Sequence, residues 1–144
     1  AVLKIGGVDF SGVKTLEDAR RLADAHNIPY VASACVSYPK DLMEKVAKAM
    51  EAPGPAYLQV LSPCPVGWGY NSEDTIDIGR LAVQTGLWVL AEYQQGDYRV
   101  TFKPSKRKPV ADYLNRQDRF ALMTPEEIAN IQTEVDNMWE KIKS

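Results

Sequence analysis

The apolar pattern of this sequence predicts an α/β layer fold, a parallel sheet flanked by helices. Three observations carry that expectation. Short β-like runs at Tyr30–Ala34, Tyr57–Leu61 and Leu87–Ala91 alternate with helix-like runs. The β-like runs are apolar on both faces, as in strands that helices cover from both sides. Strand, helix, strand, helix, strand in one sheet implies parallel pairing through right-handed crossovers.

Each element has a local cause. Thr15-Leu16-Glu17-Asp18 reads as a helix start, with Thr15 as N-cap and acidic residues in the first turn. That helix ends near Asn27, before Ile28-Pro29. A second helix follows Pro39 and places Leu42, Met43, Val46, Ala47 and Met50 on one face. Pro53-Gly54-Pro55 breaks it. Ser72-Glu73-Asp74-Thr75 starts a third helix that runs toward Gly86. Beyond Glu92 the pattern changes: Tyr98–Phe102 alternates like an exposed edge strand, and a basic loop from Lys103 to Pro109 follows. A short amphipathic segment leads to Phe120. Thr124-Pro125-Glu126-Glu127 then opens a final long helix with its cap, N1 proline and acidic first turn. On that helix Ile128, Ile131, Val135, Met138 and Ile142 form a stripe expected to dock on the domain or on a partner subunit. Residues 1–93 are expected to form the α/β part, and 94–144 a C-terminal extension of edge strand, basic loop and docking helix.

Composition narrows the function classes. With 144 residues, 45% of them hydrophobic, the chain has enough apolar matter for one core. A formal charge of −2 gives no pull toward nucleic acid or a membrane surface. No apolar run has the length of a membrane span. Two cysteines are too few for the disulfide framework of a small secreted domain, so a reducing, cytoplasmic compartment is expected. The first residue is Ala1 rather than Met, which implies processing or a piece of something longer.

Chemistry concentrates at Cys64, in Leu61-Ser62-Pro63-Cys64-Pro65-Val66-Gly67-Trp68. Two prolines fix their own φ and push Ser62 and Cys64 out of the α region, so the thiol rides on stiff, extended backbone. Cys-Pro endings recur among iron–sulfur ligands. A buried, inert cysteine is the competing interpretation, and so is a disulfide or redox pair with Cys35. Cys35 and Cys64 both follow the C-terminal ends of strands, the edge where open α/β sheets bind ligands. His26, the lone histidine, suits the last turn of a helix and lacks an orienting partner for catalysis. The pairs Glu17/Asp18, Glu73/Asp74 and Glu126/Glu127 sit in first helical turns and act as caps. Neither Gly6-Gly7 nor Gly67-Trp68-Gly69 matches a phosphate-loop or dinucleotide spacing. The loop Lys103–Lys108 carries four positive residues in six positions, a solvated connector or a landing patch for an acidic partner.

Several of these pieces recur together, in order. Ile28-Pro29-Tyr30-Val31-Ala32, Tyr38-Pro39, Gly54-Pro55 and the Cys64 loop are followed by Ala82-Val83-Gln84-Thr85-Gly86, Trp88 and Glu92. Lys103-Pro104, Asp112-Tyr113-Leu114 and Arg119-Phe120 complete the series. From about Asp18 to the C-terminus the chain resembles the C-terminal half of the β subunit of 2-oxoacid:ferredoxin oxidoreductases, pyruvate:ferredoxin oxidoreductase (pyruvate synthase) in particular. The resemblance implies a partial thiamine-diphosphate-binding α/β fold over residues 1–93 and a [4Fe–4S] cluster whose fourth ligand is Cys64. It also implies thiamine diphosphate and Mg²⁺, decarboxylation of a 2-oxoacid with coenzyme A as acyl acceptor, and electrons passed to ferredoxin. The Gly-Asp-Gly…Asn that would hold Mg²⁺ and diphosphate is absent from this chain, as is a Cys-x-x-Cys for the other cluster ligands. Those residues are expected outside it, on the rest of the β subunit, with further subunits as partners. This segment alone is expected to be inactive. The charge of Lys106-Arg107-Lys108 motivates a further expectation, ferredoxin docking there, and the place of Cys35 on the same sheet edge makes it a candidate for the cofactor side. An oxalate or branched-chain 2-oxoacid enzyme, or a non-catalytic interaction module of the same fold, are the alternatives.

Overall fold

The computed structural model describes residues 28–143, together with Arg21 and two short strands at residues 4–5 and 8–9. The strands β1 (Lys4–Ile5) and β2 (Val8–Asp9) pair antiparallel. Arg21 is helical, but the rest of the helix expected from Thr15 to Asn27, including Glu17, Asp18 and His26, lies outside the described residues.

The body is a four-stranded sheet in the order β4-β3-β5-β6, formed by β3 (Tyr30–Cys35), β4 (Ala56–Leu61), β5 (Leu90–Gln94) and β6 (Asp97–Phe102). Helix α1 (Pro39–Glu51) makes the crossover between β3 and β4, which are parallel from Tyr30↔Ala56 to Cys35↔Leu61. It begins with a proline at its N-terminus, where the missing N–H costs nothing. Past β4 come a four-residue helix, α2 (Pro65–Trp68), a 3₁₀ turn at Ser72–Asp74, and α3 (Thr75–Gln84).

The α/β class is borne out, but the sheet is mixed. The third strand runs antiparallel to β3, with Ser33 opposite Ala91 and Ala32 opposite Glu92, and it starts at Leu90 rather than Leu87. The cause is where α3 ends. Gly79 of α3 lies against Cys35 and Ser37, at the C-terminal edge of the sheet. After the helix, Gly86 turns in the left-handed region at φ +85°. The Trp88 indole then donates to the Ala34 carbonyl at 2.9 Å, still at that edge. A chain that re-enters there can only run back down the sheet. Ser33 Oγ receives the Ala91 N–H at 3.1 Å and donates to the Val89 carbonyl at 2.5 Å, fixing the point of entry. The hairpin to β6 turns on Gln95 and Gly96, both at positive φ, which matches the right-handed twist of the strands. The edge strand expected over Tyr98–Phe102 is therefore present as β6.

Helix α4 (Ala111–Leu114), a 3₁₀ turn at Asp118–Phe120 and α5 (Pro125–Lys143) complete the chain. The α5 cap is the reciprocal box that its sequence predicts. Glu127 N–H donates to Thr124 Oγ1 at 3.3 Å, while Thr124 N–H donates to Glu127 Oε2 at 2.7 Å. Ile128, Ile131, Val135, Met138 and Ile142 pack as a stripe against α3 and α4, next to Ile78, Leu81, Tyr113 and Leu114. Trp139 joins them and donates to the Gly86 carbonyl at 3.0 Å.

One face is turned the other way round from its sequence pattern. Helix α1 was expected to bury Leu42, Met43, Val46, Ala47 and Met50. Instead Met43, Val46, Ala47 and Met50 are exposed, Met50 by 83%, and Leu42 is only half-buried. The helix presents Asp41, Lys45 and Lys48 to the sheet, and Lys45 is 1% exposed.

Candidate functional site

Cys64 stands at the exit from β4, where backbone pairing ends. Pro63 is buried and anchors the turn, and the cysteine beyond it is exposed. Its backbone is extended (φ −117°, ψ 107°), as a following proline demands. Pro65 then starts α2, so Cys64 is the N-cap of a single helical turn. In that position the sulfur accepts the Gly67 N–H at 3.4 Å, and the Cys64 carbonyl accepts the Trp68 N–H at 3.0 Å. A side chain at Gly67 would put its Cβ 3.3 Å from the sulfur, so glycine leaves the approach to Sγ clear. Val66, next along the loop, is 95% exposed.

The loop is pinned from the far end of the chain. Gly69 closes α2 at φ +69° and its carbonyl accepts the Asp118 N–H at 2.9 Å. Arg119 lies 3.8 Å over the Trp68 ring and 4.4 Å from Phe120. Among the described residues no group of three or more His, Cys, Asp and Glu gathers with metal-binding geometry. The loop offers one exposed thiol, with no such group around it among the described residues.

Cys35 has a different fate. It is buried with Val83 and Leu90, and its thiol donates to the Gly79 carbonyl at 3.7 Å. Burial pushes this thiol up, against weaker help for the thiolate from Ser37. Both cysteines are free thiols, so the disulfide alternative is not formed. Cys35 packs under α3, buried within this chain. The basic loop also divides. Lys106 and Lys108 are exposed, whereas Arg107 turns inward to Asp136 of α5 at 2.6 Å and lies beside the Trp139 ring. The expected patch Lys106-Arg107-Lys108 thus loses its central charge to the fold.

A polar cluster under α1 was not visible beforehand. Lys45 donates to the Ser33 carbonyl, Asp41 Oδ2 and Thr101 Oγ1 at 2.7, 2.7 and 2.8 Å. Asp41 Oδ1 in turn accepts the Thr101 hydroxyl at 2.5 Å. Beside it, Glu92 accepts from Lys48 at 2.7 Å, from the Tyr30 hydroxyl at 3.0 Å and from Arg99 Nε at 3.0 Å. Burial alone would raise the Glu92 carboxyl, but these three donors outweigh it and hold it below the usual range. Burial and the Glu92 contact push the Tyr30 phenol up. Every member is satisfied by another, so the cluster cements α1 to the sheet. Its spacing at positions 41, 45 and 48 was the only available signal, a second helical stripe as regular as the apolar one.

No family model matches the chain. Among curated proteins it is 50% identical over 133 residues to the pyruvate synthase subunit PorB of Methanocaldococcus jannaschii, covering 92% of this chain and 43% of that protein. It is 51% identical over 119 residues to the same subunit of Methanothermobacter thermautotrophicus, covering 83% of this chain and 41% of the relative. The ketoisovalerate oxidoreductase subunit VorB of Pyrococcus abyssi is 44% identical over 121 residues, with 83% and 39% covered. The chain thus spans less than half the length of these relatives. The resemblance to the β subunits of 2-oxoacid:ferredoxin oxidoreductases, read from the residues, is borne out over most of this chain, which is a homologue of the PorB and VorB subunits.

Proposed function

We propose that this segment works within the β subunit of a cytoplasmic 2-oxoacid:ferredoxin oxidoreductase, pyruvate being the 2-oxoacid, and that Cys64 is one ligand of its [4Fe–4S] cluster. The observation that carries the assignment is the exposed sulfur on a proline-bracketed loop, with the Gly67 N–H aimed at it. When bound, thiamine diphosphate with Mg²⁺ supplies the decarboxylation chemistry and the cluster supplies one-electron transfer toward ferredoxin. This chain's part is to present one sulfur in a fixed place: Pro63 and Pro65 stiffen its backbone, and the Gly67 N–H donates to it. The other ligands, the diphosphate site, and most contacts to the 2-oxoacid and coenzyme A fall to the rest of the subunit and its partners. Residues 1–93 would be the part shared with the cofactor-binding domain and 94–144 its extension.

Identity of 50% and 51% to the PorB subunits of the two methanogens, above that to the VorB subunit, supports pyruvate. The VorB relative at 44% identity keeps a branched-chain substrate as the second reading. Two measurements on the assembled complex test this. Cys64→Ala should lower iron and sulfide in the preparation and abolish 2-oxoacid-dependent ferredoxin reduction. Full iron content in that variant overturns the ligand assignment. Faster ferredoxin reduction with 3-methyl-2-oxobutanoate than with pyruvate overturns the substrate.

A further inference from the structure

We propose that Arg119 is a positioning residue for Cys64, holding the ligand loop in place from the C-terminal extension; this rests on the reading of Cys64 as a cluster ligand. The contacts form one continuous path. Tyr113 and Gln117 are buried in and beside α4, and Gln117 Nε2 donates to the Tyr113 carbonyl at 2.7 Å. From that base Arg119 is held at two points of its edge. Nε donates to Gln117 Oε1 at 2.9 Å, and Nη2 donates to the Tyr113 hydroxyl at 3.1 Å. Its guanidinium carbon then lies 3.8 Å from the centre of the Trp68 ring and 4.4 Å from that of Phe120. Trp68 ends the single turn that Cys64 begins, and its N–H closes that turn on the Cys64 carbonyl.

Arginine is suited to this place. A guanidinium stacks on an indole with its face while its edge N–H groups hydrogen-bond in plane. A lysine can supply the charge but not both functions. The neighbouring backbone contact reinforces the grip, because Gly69 and Asp118 approach so closely that a Cβ on the glycine would stand 2.5 Å from the Asp118 Cβ. The two prolines stiffen the loop internally; Arg119 and Asp118 fix it to the body. Arg119 also brings a positive charge to a loop that carries a thiolate, and charge near a cluster sets its potential.

The test uses the assembled oxidoreductase with Arg119→Ala, Arg119→Lys and Cys64→Ala. Expected for Arg119→Ala are a lower midpoint potential, a broadened EPR spectrum of the reduced cluster, and loss of the cluster in air faster by about fivefold, the scale of an exposed cation–π contact. Arg119→Lys keeps the charge, so its potential should stay near the parent's while the EPR spectrum still broadens. If Arg119→Ala does not assemble, the lysine spectrum decides. Parent-like spectrum, potential and air lifetime in the Arg119 variants, with iron lost in Cys64→Ala, would show that Arg119 only packs. Full iron and an unchanged spectrum in Cys64→Ala remove the ligand reading, and this proposal with it.

Discussion

Replacing Lys45 by methionine is the sharpest probe of how this sheet is held. The side chain is 1% exposed and gives all three of its donors to protein acceptors: the Ser33 carbonyl, Asp41 and Thr101. Methionine fills most of the space but leaves Asp41, whose side chain is 15% exposed, without its counter-ion. Breaking a buried pair from one side costs about 3–5 kcal/mol. Asp41 keeps the Thr101 hydroxyl and some contact with water, so the loss belongs at the low end, about 3 kcal/mol, or roughly 10 °C in Tm for a chain of this size. Removing both charges in Asp41→Leu/Lys45→Met leaves the Ser33 carbonyl and the Thr101 oxygen each short of a donor, while the Thr101 hydroxyl keeps the Leu90 carbonyl, a cost of about 1–2 kcal/mol. Burial lowers the Lys45 pKa despite the pull of Asp41. The folded state therefore releases this proton before the unfolded chain does, and the parent gains stability as pH rises from that lowered value toward 10.5. Lys45→Met loses this alkaline gain. Urea unfolding followed by far-UV circular dichroism, at neutral and alkaline pH, measures all three effects. A single-variant loss below about 1 kcal/mol, with the double variant no better, would refute the claim that the pair is buried and coupled.

Glu92→Gln should cost about 2 kcal/mol at neutral pH, since Lys48 and Arg99 retain solvent to share their charge. The carboxyl is held below its ordinary 4.5, so its contribution is present above that value and fades as pH falls through the lowered one. An acid unfolding series on the variant should accordingly be flatter than the parent's. Gly69→Ala, at φ +69° with a Cβ forced onto Asp118, should lower stability by about 2–3 kcal/mol, read as a drop in Tm. In the chain without cluster, one thiol should react quickly with a disulfide reagent and map to Cys64, with Cys35 reacting only on unfolding; a fast second thiol contradicts its burial. Thr124→Ala removes one half of the capping box and should cost about 1 kcal/mol in thermal unfolding.

Local signals in the sequence were legible because their causes are local. Pro39, Pro53-Gly54-Pro55 and Thr124-Pro125 act on their own dihedrals, and α1, β4 and α5 begin or end where they dictate. The direction of β5 was not legible, because it depends on where α3 lies relative to the sheet edge. The orientation of α1 failed for a related reason. Two stripes repeat with helical spacing on this helix, and the choice between them belongs to the surface that receives it. That surface is polar at one point because of an irregularity in pairing. Leu90 is opposite Phe102 and Ala91 is opposite Val100, so Thr101 is the extra residue of a bulge. Its hydroxyl, with the Ser33 carbonyl, gives Asp41 and Lys45 partners that an apolar stripe would have left empty.

The same division between local and distant causes governs the candidate ligand. A proline on each side makes the Cys64 backbone stiff, which the sequence states outright. Stiffness does not fix position, since a rigid loop hinged at β4 can still swing as a unit. A metal ligand needs its sulfur in one place relative to ligands on other segments, and that requires contacts across the fold. Here they come from residues more than forty positions downstream, Asp118 against Gly69 and Arg119 against Trp68, and nothing in their spacing announces the partnership. The extension that ends in α5 is therefore tied to the cysteine loop as well as to the core: α5 packs on α3 and α4, α4 holds Arg119, and Arg119 holds the turn that Cys64 opens.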